Sequence, residues 1–245
     1  MATDILTLEE VVAGYGKMTI LHGTTCSVAR GAITTVIGPN GAGKSTMFKT
    51  VFGMLPARSG RILFEGAEIT NLAPRELLAR GISYVPQGRN IFPELSVRHN
   101  LELGAVMAPA GFDLGGRMEA AMARFPVLRR KANSQASTLS GGEQKMLEIA
   151  RSLLLEPKLI LIDEPSIGLS PIMVNELFAI LTEMRDRGTT VLLIEQNAKR
   201  ALESSDYGIV LELGRTRIAD TARNILSDPR IGQLFLGGGL QERVA

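Results

Sequence analysis

The stretch of sequence that decides the fold is ITTVIGPNGAGKS, residues 33–45. The apolar run Ile33–Ile37 predicts a buried strand, and a Gly-rich loop and a helix follow it. Glycines allow a tight loop whose backbone N–H groups point at phosphate oxygens, and the helix N-terminus adds partial positive charge. Taken alone, the loop could also be an ordinary Gly-rich turn between a strand and a helix.

Within this loop, Lys44 can reach the β- and γ-phosphates of a nucleotide, and the Ser45 hydroxyl can bind Mg²⁺. We therefore expect a nucleotide site at the end of the strand. The residues expected to touch the nucleotide are Gly38, Pro39, Asn40, Gly41, Ala42, Gly43, Lys44, Ser45 and Thr46.

Other strand-length runs predict an α/β fold with a mainly parallel sheet. The continuous apolar runs at 33–37, 159–162 and 191–194 are typical of strands that are buried on both faces. Helical patterns open near Gly43, Pro171 and Ala198. Further β-rich runs are expected at 6–12, 24–28, 62–64, 82–85 and 208–213.

The segment from about 88 to 156 carries no clear strand pattern. It predicts helices interrupted by a turn-rich loop, Pro109–Gly116, inserted into the α/β core. We therefore expect a nucleotide-binding core at 1–87 and 157–221, a helical subdomain at 88–156, and a C-terminal helical tail at 222–245. The tail is expected to hold one or two short helices before the Gly237–Gly239 run.

The composition gives no electrostatic reason to expect nucleic acid as a partner. The chain has 27 basic and 25 acidic residues, a formal net charge of +2, and nucleic-acid-binding domains usually carry a strong basic excess. The single cysteine, Cys26, cannot form an intrachain disulfide, which fits a reducing compartment. No secretory signal or membrane-spanning run is expected, since the longest apolar runs have only the length of a strand.

A second motif, LILIDE at residues 159–164, ends an apolar strand in two carboxylates. Asp163 is expected at the carboxyl edge of the sheet, where it can hold Mg²⁺ through water. Glu164 is then placed to polarise the attacking water as general base. Alone, the motif could be a strand that simply ends in solvent.

A third motif, LSGGEQ at residues 139–144, precedes a helical pattern. The Ser140 hydroxyl and the N–H groups of Gly141 and Gly142 can form a second anion site at a helix start. Without the other motifs, an ordinary helix N-cap would explain it equally well.

Together with Gln87, these motifs make the chain resemble the ATP-binding-cassette (ABC) family across nearly its whole length. The resemblance implies a phosphate-loop nucleotide hydrolase core with an N-terminal antiparallel β part and an inserted helical subdomain. The resemblance implies that two subunits bind two ATP molecules between them, so that Ser140, Gly141 and Gly142 contact the γ-phosphate held by the partner. It also implies that Tyr15 stacks on adenine. Gln87 is implied to sense Mg²⁺ and the γ-phosphate. By themselves, these two residues could be a packing tyrosine and a loop glutamine.

The sequence departs from the family pattern at two positions. Ser170 stands where the loop after Glu164 commonly ends in aspartate, and Gln196 replaces the usual switch histidine. Glutamine can donate a hydrogen bond to a γ-phosphate and orient water, but it cannot become cationic. We therefore expect Gln196 to act beside Glu164 and Gln87 in hydrolysis, with a role that differs from that of the histidine.

The phrases DEPSIGLSP (163–171), EQN (195–197) and FLGG (235–238) resemble the smaller ATPase subunit of branched-chain amino-acid importers. This resemblance implies ATP and Mg²⁺ as ligands, and a second ATPase subunit that is identical or paralogous. It also implies permease subunits in the membrane, an indirect link to a periplasmic solute-binding protein, and a peripheral location on the cytoplasmic face of the bacterial inner membrane. The segment 88–103, with Phe92, Leu95 and Val97, is the expected contact with the permease.

Three alternatives remain at this point. Related importers carry urea or short amides. An ABC protein that acts on nucleic acid or ribosomes would usually have two cassettes or a long coiled-coil insertion, which this sequence lacks. The ATPase of a lipopolysaccharide exporter fits the length but not the sequence EQN.

Overall fold

Parallel strands form the centre of the structure, a computed structural model that describes residues 3–229 and 231. Six strands stand in the order β10-β9-β3-β8-β7-β6, with every neighbouring pair from β9 to β6 parallel and β10 antiparallel to β9. Their bounds are β3 Ile33–Ile37, β6 Ile82–Val85, β7 Leu159–Asp163, β8 Thr190–Ile194, β9 Tyr207–Glu212 and β10 Arg215–Thr221. The mainly parallel sheet predicted from the sequence is confirmed.

The central strands are mostly apolar because both of their faces are covered. Leu161 packs into the core cluster shared with an antiparallel sheet, whereas Ile160 and Ile162 pack into the cluster formed with the helices on the opposite face. Each residue of β7 and β8 is buried. A strand between two apolar layers loses the alternation of polar and apolar residues, which explains the continuous runs in the sequence.

The antiparallel sheet is formed mostly by the N-terminal part of the chain. Its strands are β1 Asp4–Tyr15, β2 Met18–Ala29, β4 Ala57–Phe64 and β5 Ala67–Glu68, in the order β2-β1-β4-β5. Helix α1, Lys44–Val51, packs in the core cluster that both sheets share, with Met47 and Phe48 fully buried. The helix that begins in the phosphate loop is therefore held between two sheets.

The segment between β6 and β7 is helical, as predicted. It contains α3 Val97–Glu102, α4 Leu114–Arg124, α5 Pro126–Arg130 and α6 Gly141–Leu153. The predicted loop Pro109–Gly116 is wrong at its end, because α4 already begins at Leu114. The Asp113 carboxylate accepts a hydrogen bond from the Gly116 N–H at 2.9 Å, and this cap stabilises a helix start despite two glycines in its first turn.

The remaining helices are α2 Pro74–Ala79, α7 Pro171–Asp186, α8 Ala198–Glu203 and α9 Ala222–Ser227. Helix α9 agrees with the first of the predicted tail helices, while 235–239 lie outside the described residues. Within the described part, no helix is both long and apolar enough to cross a membrane. Cys26 is buried on β2, and burial raises the pKa of its thiol to about 12.

Candidate nucleotide-binding and hydrolysis site

The predicted site residues converge because four parallel strands end at the same edge of the sheet. Gly38 follows β3, Gln87 follows β6, Asp163 ends β7 and Gln196 follows β8. In open α/β sheets, ligands bind outside the carboxyl ends of the strands. The topology therefore brings together residues that lie far apart in the sequence.

The phosphate loop needs its glycines for two different physical reasons. A Cβ on Gly38 would lie 2.1 Å from the Leu211 carbonyl oxygen at the end of β9, so only glycine fits there. Gly41 and Gly43 have φ angles of +80° and +102°, a region that L side chains rarely adopt. Gly43 is also the N-cap of α1, so the loop turns directly into the helix N-terminus.

Lys44 is buried and lies over the loop. Its ammonium donates to the carbonyl oxygens of Gly38 at 2.9 Å and Pro39 at 3.1 Å. Burial lowers the pKa of Lys44, and the carboxylates of Glu164 and Asp163 oppose that shift. A buried cation that donates hydrogen bonds to neutral carbonyl oxygens is well placed to bind phosphate oxygens, which offer it full negative charge.

The surroundings of the Asp163 carboxylate indicate whether the site could bind Mg²⁺. The residue is 1% exposed, and its Oδ1 atom is buried without a hydrogen-bond partner. Its Oδ2 atom accepts a hydrogen bond from the Tyr84 hydroxyl at 3.4 Å. Burial raises the pKa of Asp163, while the neighbouring Ser45 hydroxyl, Tyr84 and two lysines lower it.

An unpartnered buried carboxylate oxygen next to a serine hydroxyl fits a Mg²⁺ ligand set completed by phosphate oxygens and water. Among the described residues, no group of three or more His, Cys, Asp or Glu side chains could hold a metal ion.

Glu164 contacts the other two residues predicted to act in hydrolysis, Gln87 and Gln196. Its Oε2 atom accepts a hydrogen bond from the Gln87 side-chain amide at 2.7 Å and from the Gln196 side-chain amide at 3.2 Å. Burial and the neighbouring Asp163 charge raise the pKa of Glu164. The carboxylate is thus oriented by two neutral donors and made more basic, as a general base requires.

Glu195, for which the sequence motifs predict no role, lies beside this cluster. The side chain is buried and accepts hydrogen bonds from the Ser166 N–H at 3.0 Å and the Ser166 hydroxyl at 2.7 Å. It also accepts from the Gln196 N–H at 3.2 Å. Glu195 therefore ties the loop after Glu164 to the residue that contacts Glu164, and an acidic residue after an apolar strand was its signal in the sequence.

Tyr15 and the LSGGEQ segment lie at the rim of the site. Tyr15 ends β1 with 47% of its surface exposed, and the Lys49 ammonium lies 5.9 Å from its ring centroid. An exposed ring of this kind can stack on a base. Ser140 caps α6 in a capping box with Glu143, and Gly141 lines a cavity of about 480 Å³ together with Gln87 and Glu164.

Comparison with known proteins agrees with this geometry. The model of the family described as "ABC transporter" matches residues 21–167. The high-affinity branched-chain amino acid transport ATP-binding protein BraG of Pseudomonas aeruginosa is 41% identical, over 96% of this chain and all of BraG. The probable branched-chain amino acid transport ATP-binding protein LivF of Archaeoglobus fulgidus is 38% identical, over 92% of this chain and 95% of its own. The lipopolysaccharide export ATP-binding protein LptB of Haemophilus influenzae is 31% identical, over 96% and 98%.

Solved structures give the same result. The ADP conformation of the ATP-binding cassette MJ1267 superposes with a TM-score of 0.83 at 32% identity, over 96% of this chain and 99% of that one. The dimeric post-hydrolysis structure of the cassette MJ0796 with ADP and Pi has a TM-score of 0.78 at 25% identity, over 89% and 99%.

Proposed function

The chain belongs to the ABC transporter family and hydrolyses ATP, and on that premise we propose that it energises a membrane importer of branched-chain amino acids. Similarity to BraG and LivF supports this solute class over lipopolysaccharide export, since both are more similar to this chain than LptB is. An importer of urea or short amides is the nearest alternative, and a soluble protein acting on nucleic acid is a more distant one.

The observation that carries the catalytic proposal is the pair of amide donors on one carboxylate oxygen of Glu164, at 2.7 and 3.2 Å. In ATP hydrolysis the enzyme must position the attacking water and stabilise charge on the phosphoryl oxygens. Glu164 accepts the water proton, and Lys44 and the loop N–H groups hold the phosphates. Mg²⁺, held through Ser45, Gln87 and Asp163, would supply charge neutralisation. Gln196 orients water or the γ-phosphate without carrying a charge.

We further propose that two cassettes sandwich the nucleotide, with Ser140, Gly141 and Gly142 acting on the ATP bound by the partner. Similarity to the dimeric structure of the cassette MJ0796 with ADP and Pi supports this arrangement. The second cassette is a copy of this chain or a paralogous subunit. Tyr15 provides the stacking surface for adenine.

An apolar groove is the surface proposed to receive the permease at the cytoplasmic face of the membrane. The groove has a volume of about 310 Å³, and its lining includes Phe92, Leu103, Val106 and Met107. Val106 is 74% exposed and Phe92 51%. The expectation that Val97 contributes to this surface is wrong, because Val97 begins α3 and is fully buried in the core.

Replacing the general base tests the catalytic proposal directly. Glu164→Gln keeps the hydrogen-bonding capacity but cannot accept a proton, so we expect ATP binding to persist while turnover falls by about a hundredfold or more. The variant should also accumulate as a nucleotide-bound dimer in size-exclusion chromatography. Lys44→Ala, the matched control, should lose binding. Near-normal turnover by Glu164→Gln would remove Glu164 from its role.

Uptake measurements test the solute. In a strain that lacks this gene, uptake of radiolabelled leucine and isoleucine should fall, and the wild-type gene but not Lys44→Ala should restore it. Loss of urea or acetamide uptake with normal leucine uptake would support the alternative importer. A pull-down from native membranes without a multispanning protein would contradict the assignment to a transporter.

A further inference from the structure

Helix α6 has a charged face formed by Lys145, Glu148 and Arg151. These residues are spaced three apart, so that neighbours lie on the same side of the helix. Lys145 and Glu148 form an ion pair with an Nζ–Oε2 distance of 2.5 Å, and their side chains are only 8% and 2% exposed. Burying two charges is costly, and well-packed apolar residues often give equal or greater stability. The pair therefore calls for an explanation beyond stability.

These side chains bind the backbone of a turn formed by residues 86–90, between β6 and α3. The Lys145 ammonium donates to the Gly88 carbonyl at 2.9 Å. The Asn90 N–H donates to the Glu148 carboxylate, and the Arg151 guanidinium donates to the Asn90 carbonyl. The turn lies outside any helix or strand, and Gly88 has a φ of +92°, so α6 supplies the bonds that a regular element would otherwise provide.

The turn leads directly into the hydrolysis site. Gln87, the residue before Gly88, donates to Glu164 at 2.7 Å. The Asn90 side chain closes the turn by donating to the Pro86 carbonyl at 3.1 Å. The position of the Gln87 amide is thus fixed by a short backbone segment whose two ends are held, one by β6 and the other by the charged face of α6.

We propose that Lys145 and Glu148 are positioning residues for ATP hydrolysis, which fix Gly88 and Asn90 and thereby set Gln87 against Glu164. Neither residue touches the nucleotide in this role. The inference rests on the proposed function of Glu164 and Gln87. It predicts that the pair affects turnover more than it affects nucleotide binding, because the phosphate loop is built from other elements.

The double variant Lys145→Met with Glu148→Leu separates positioning from stability. It removes both charges together, so neither member of the pair stays buried without its partner, but it also removes the partners of the Gly88 carbonyl and the Asn90 N–H. We expect kcat to fall about ten- to a hundredfold, as for other displacements of catalytic groups, with KM for ATP within about twofold. Amide exchange at Asn90 should accelerate in the absence of nucleotide.

Glu148→Gln provides the conservative rescue, since its amide oxygen still accepts from the Asn90 N–H and most of the turnover should remain. Lys158→Met is the matched ion-pair control. It breaks the exposed pair with Glu65, and its turnover should equal that of the wild type. If the double variant does not fold, Lys145→Met with Glu148→Gln also removes both charges of the pair, and its kcat tests the Lys145 bond to the Gly88 carbonyl. A fall in kcat supports the positioning role, and a normal kcat overturns it.

Normal kcat in the folded double variant would overturn the positioning role, and so would unchanged protection of the Asn90 amide. A wild-type chain without ATP turnover, or one in which Glu164→Gln hydrolyses normally, would instead overturn the proposed function on which the inference rests. The two failures are therefore distinguishable.

Discussion

Glu164 combines a left-handed backbone, with a φ of +48°, and a carboxylate held by two glutamine amides. A non-glycine residue in this region costs of order 1–2 kcal/mol. Its N–H donates to the Ile194 carbonyl at 2.9 Å, which anchors the residue to the end of β8. Such strain is characteristic of functional sites, where the surroundings fix an otherwise unfavourable conformation.

Two glycines of the phosphate loop should respond differently to alanine. Gly38→Ala places a Cβ against the Leu211 carbonyl, so we expect a loss of about 2–3 kcal/mol in the free energy of unfolding. Gly41 has nothing within 4 Å of an added Cβ, so Gly41→Ala should cost only its backbone strain, about 1 kcal/mol. Urea unfolding without nucleotide measures both, and equal losses would contradict this distinction.

Glu195 provides a prediction about pH. Burial raises its pKa above the ordinary value of 4.5, against three hydrogen bonds that lower it. A raised pKa in the folded state stabilises the protein fully below pH 4.5, and this contribution is lost as pH rises through the folded pKa. Glu195→Gln cannot ionise and lacks this loss. Its free energy of unfolding should therefore increase relative to that of the wild type as pH rises from 4.5 through the folded pKa of Glu195. Chemical unfolding at a series of pH values measures the difference, and the opposite slope would contradict the prediction.

At the scale of elements, Ser170 occupies the position where the family pattern has aspartate, and it begins helix α7. It is the N-cap of α7 and accepts from the Met173 N–H at 3.4 Å. Aspartate also caps helices well and interacts favourably with the helix dipole. The departure from the family pattern at this position therefore preserves the start of the helix.

Substitutions at Ser170 test this interpretation. Ser170→Ala should lower the free energy of unfolding by about 1 kcal/mol, whereas Ser170→Asp should stay within about 0.5 kcal/mol of the wild type. Thermal unfolding at neutral pH compares the three proteins. No loss in Ser170→Ala would show that the cap contributes nothing, and a loss in Ser170→Asp as large as in Ser170→Ala would show that aspartate does not replace it.

The elements that sequence patterns predicted well are those buried on both faces. Strands β7 and β8 contain continuous apolar runs, and β3 is buried along its whole length. The sequence pattern does not predict β10, because none of its residues is fully buried. The first two strands extend well beyond their apolar segments, and register shifts interrupt their pairing. The end of the loop before α4 was wrong because a side-chain cap outweighed the helix-breaking tendency of glycine.

The site was predictable where a motif is local and less so where it depends on distant contacts. Lys44, Asp163 and Glu164 followed from short motifs next to strands. The bonds of Glu195 to Ser166 join residues from two different strand ends, and those of α6 to Gly88 and Asn90 join a helix to a distant turn. No periodicity in a single sequence records such pairs.

At the scale of the whole molecule, nucleotide binding should stabilise the fold, because the phosphate loop is closed against β9 and α1 is held between two sheets. A ligand that binds only the folded state at a hundred times its Kd adds about 2.7 kcal/mol. Mg²⁺-ATP should therefore raise the Tm of the wild type by several degrees and that of Lys44→Ala by almost nothing. Equal shifts would mean that Lys44 does not hold the phosphates.

The burial of Cys26 has a practical consequence for optical and spin-resonance work. It is the one cysteine in the chain, and at 7% exposure its thiol is shielded from reagents. A cysteine introduced at Ile172, which is 78% exposed at the start of α7, would be the one reactive thiol. The natural background is thus already suited to attaching a single fluorophore or nitroxide, and distances between two labelled subunits could be followed through a turnover cycle.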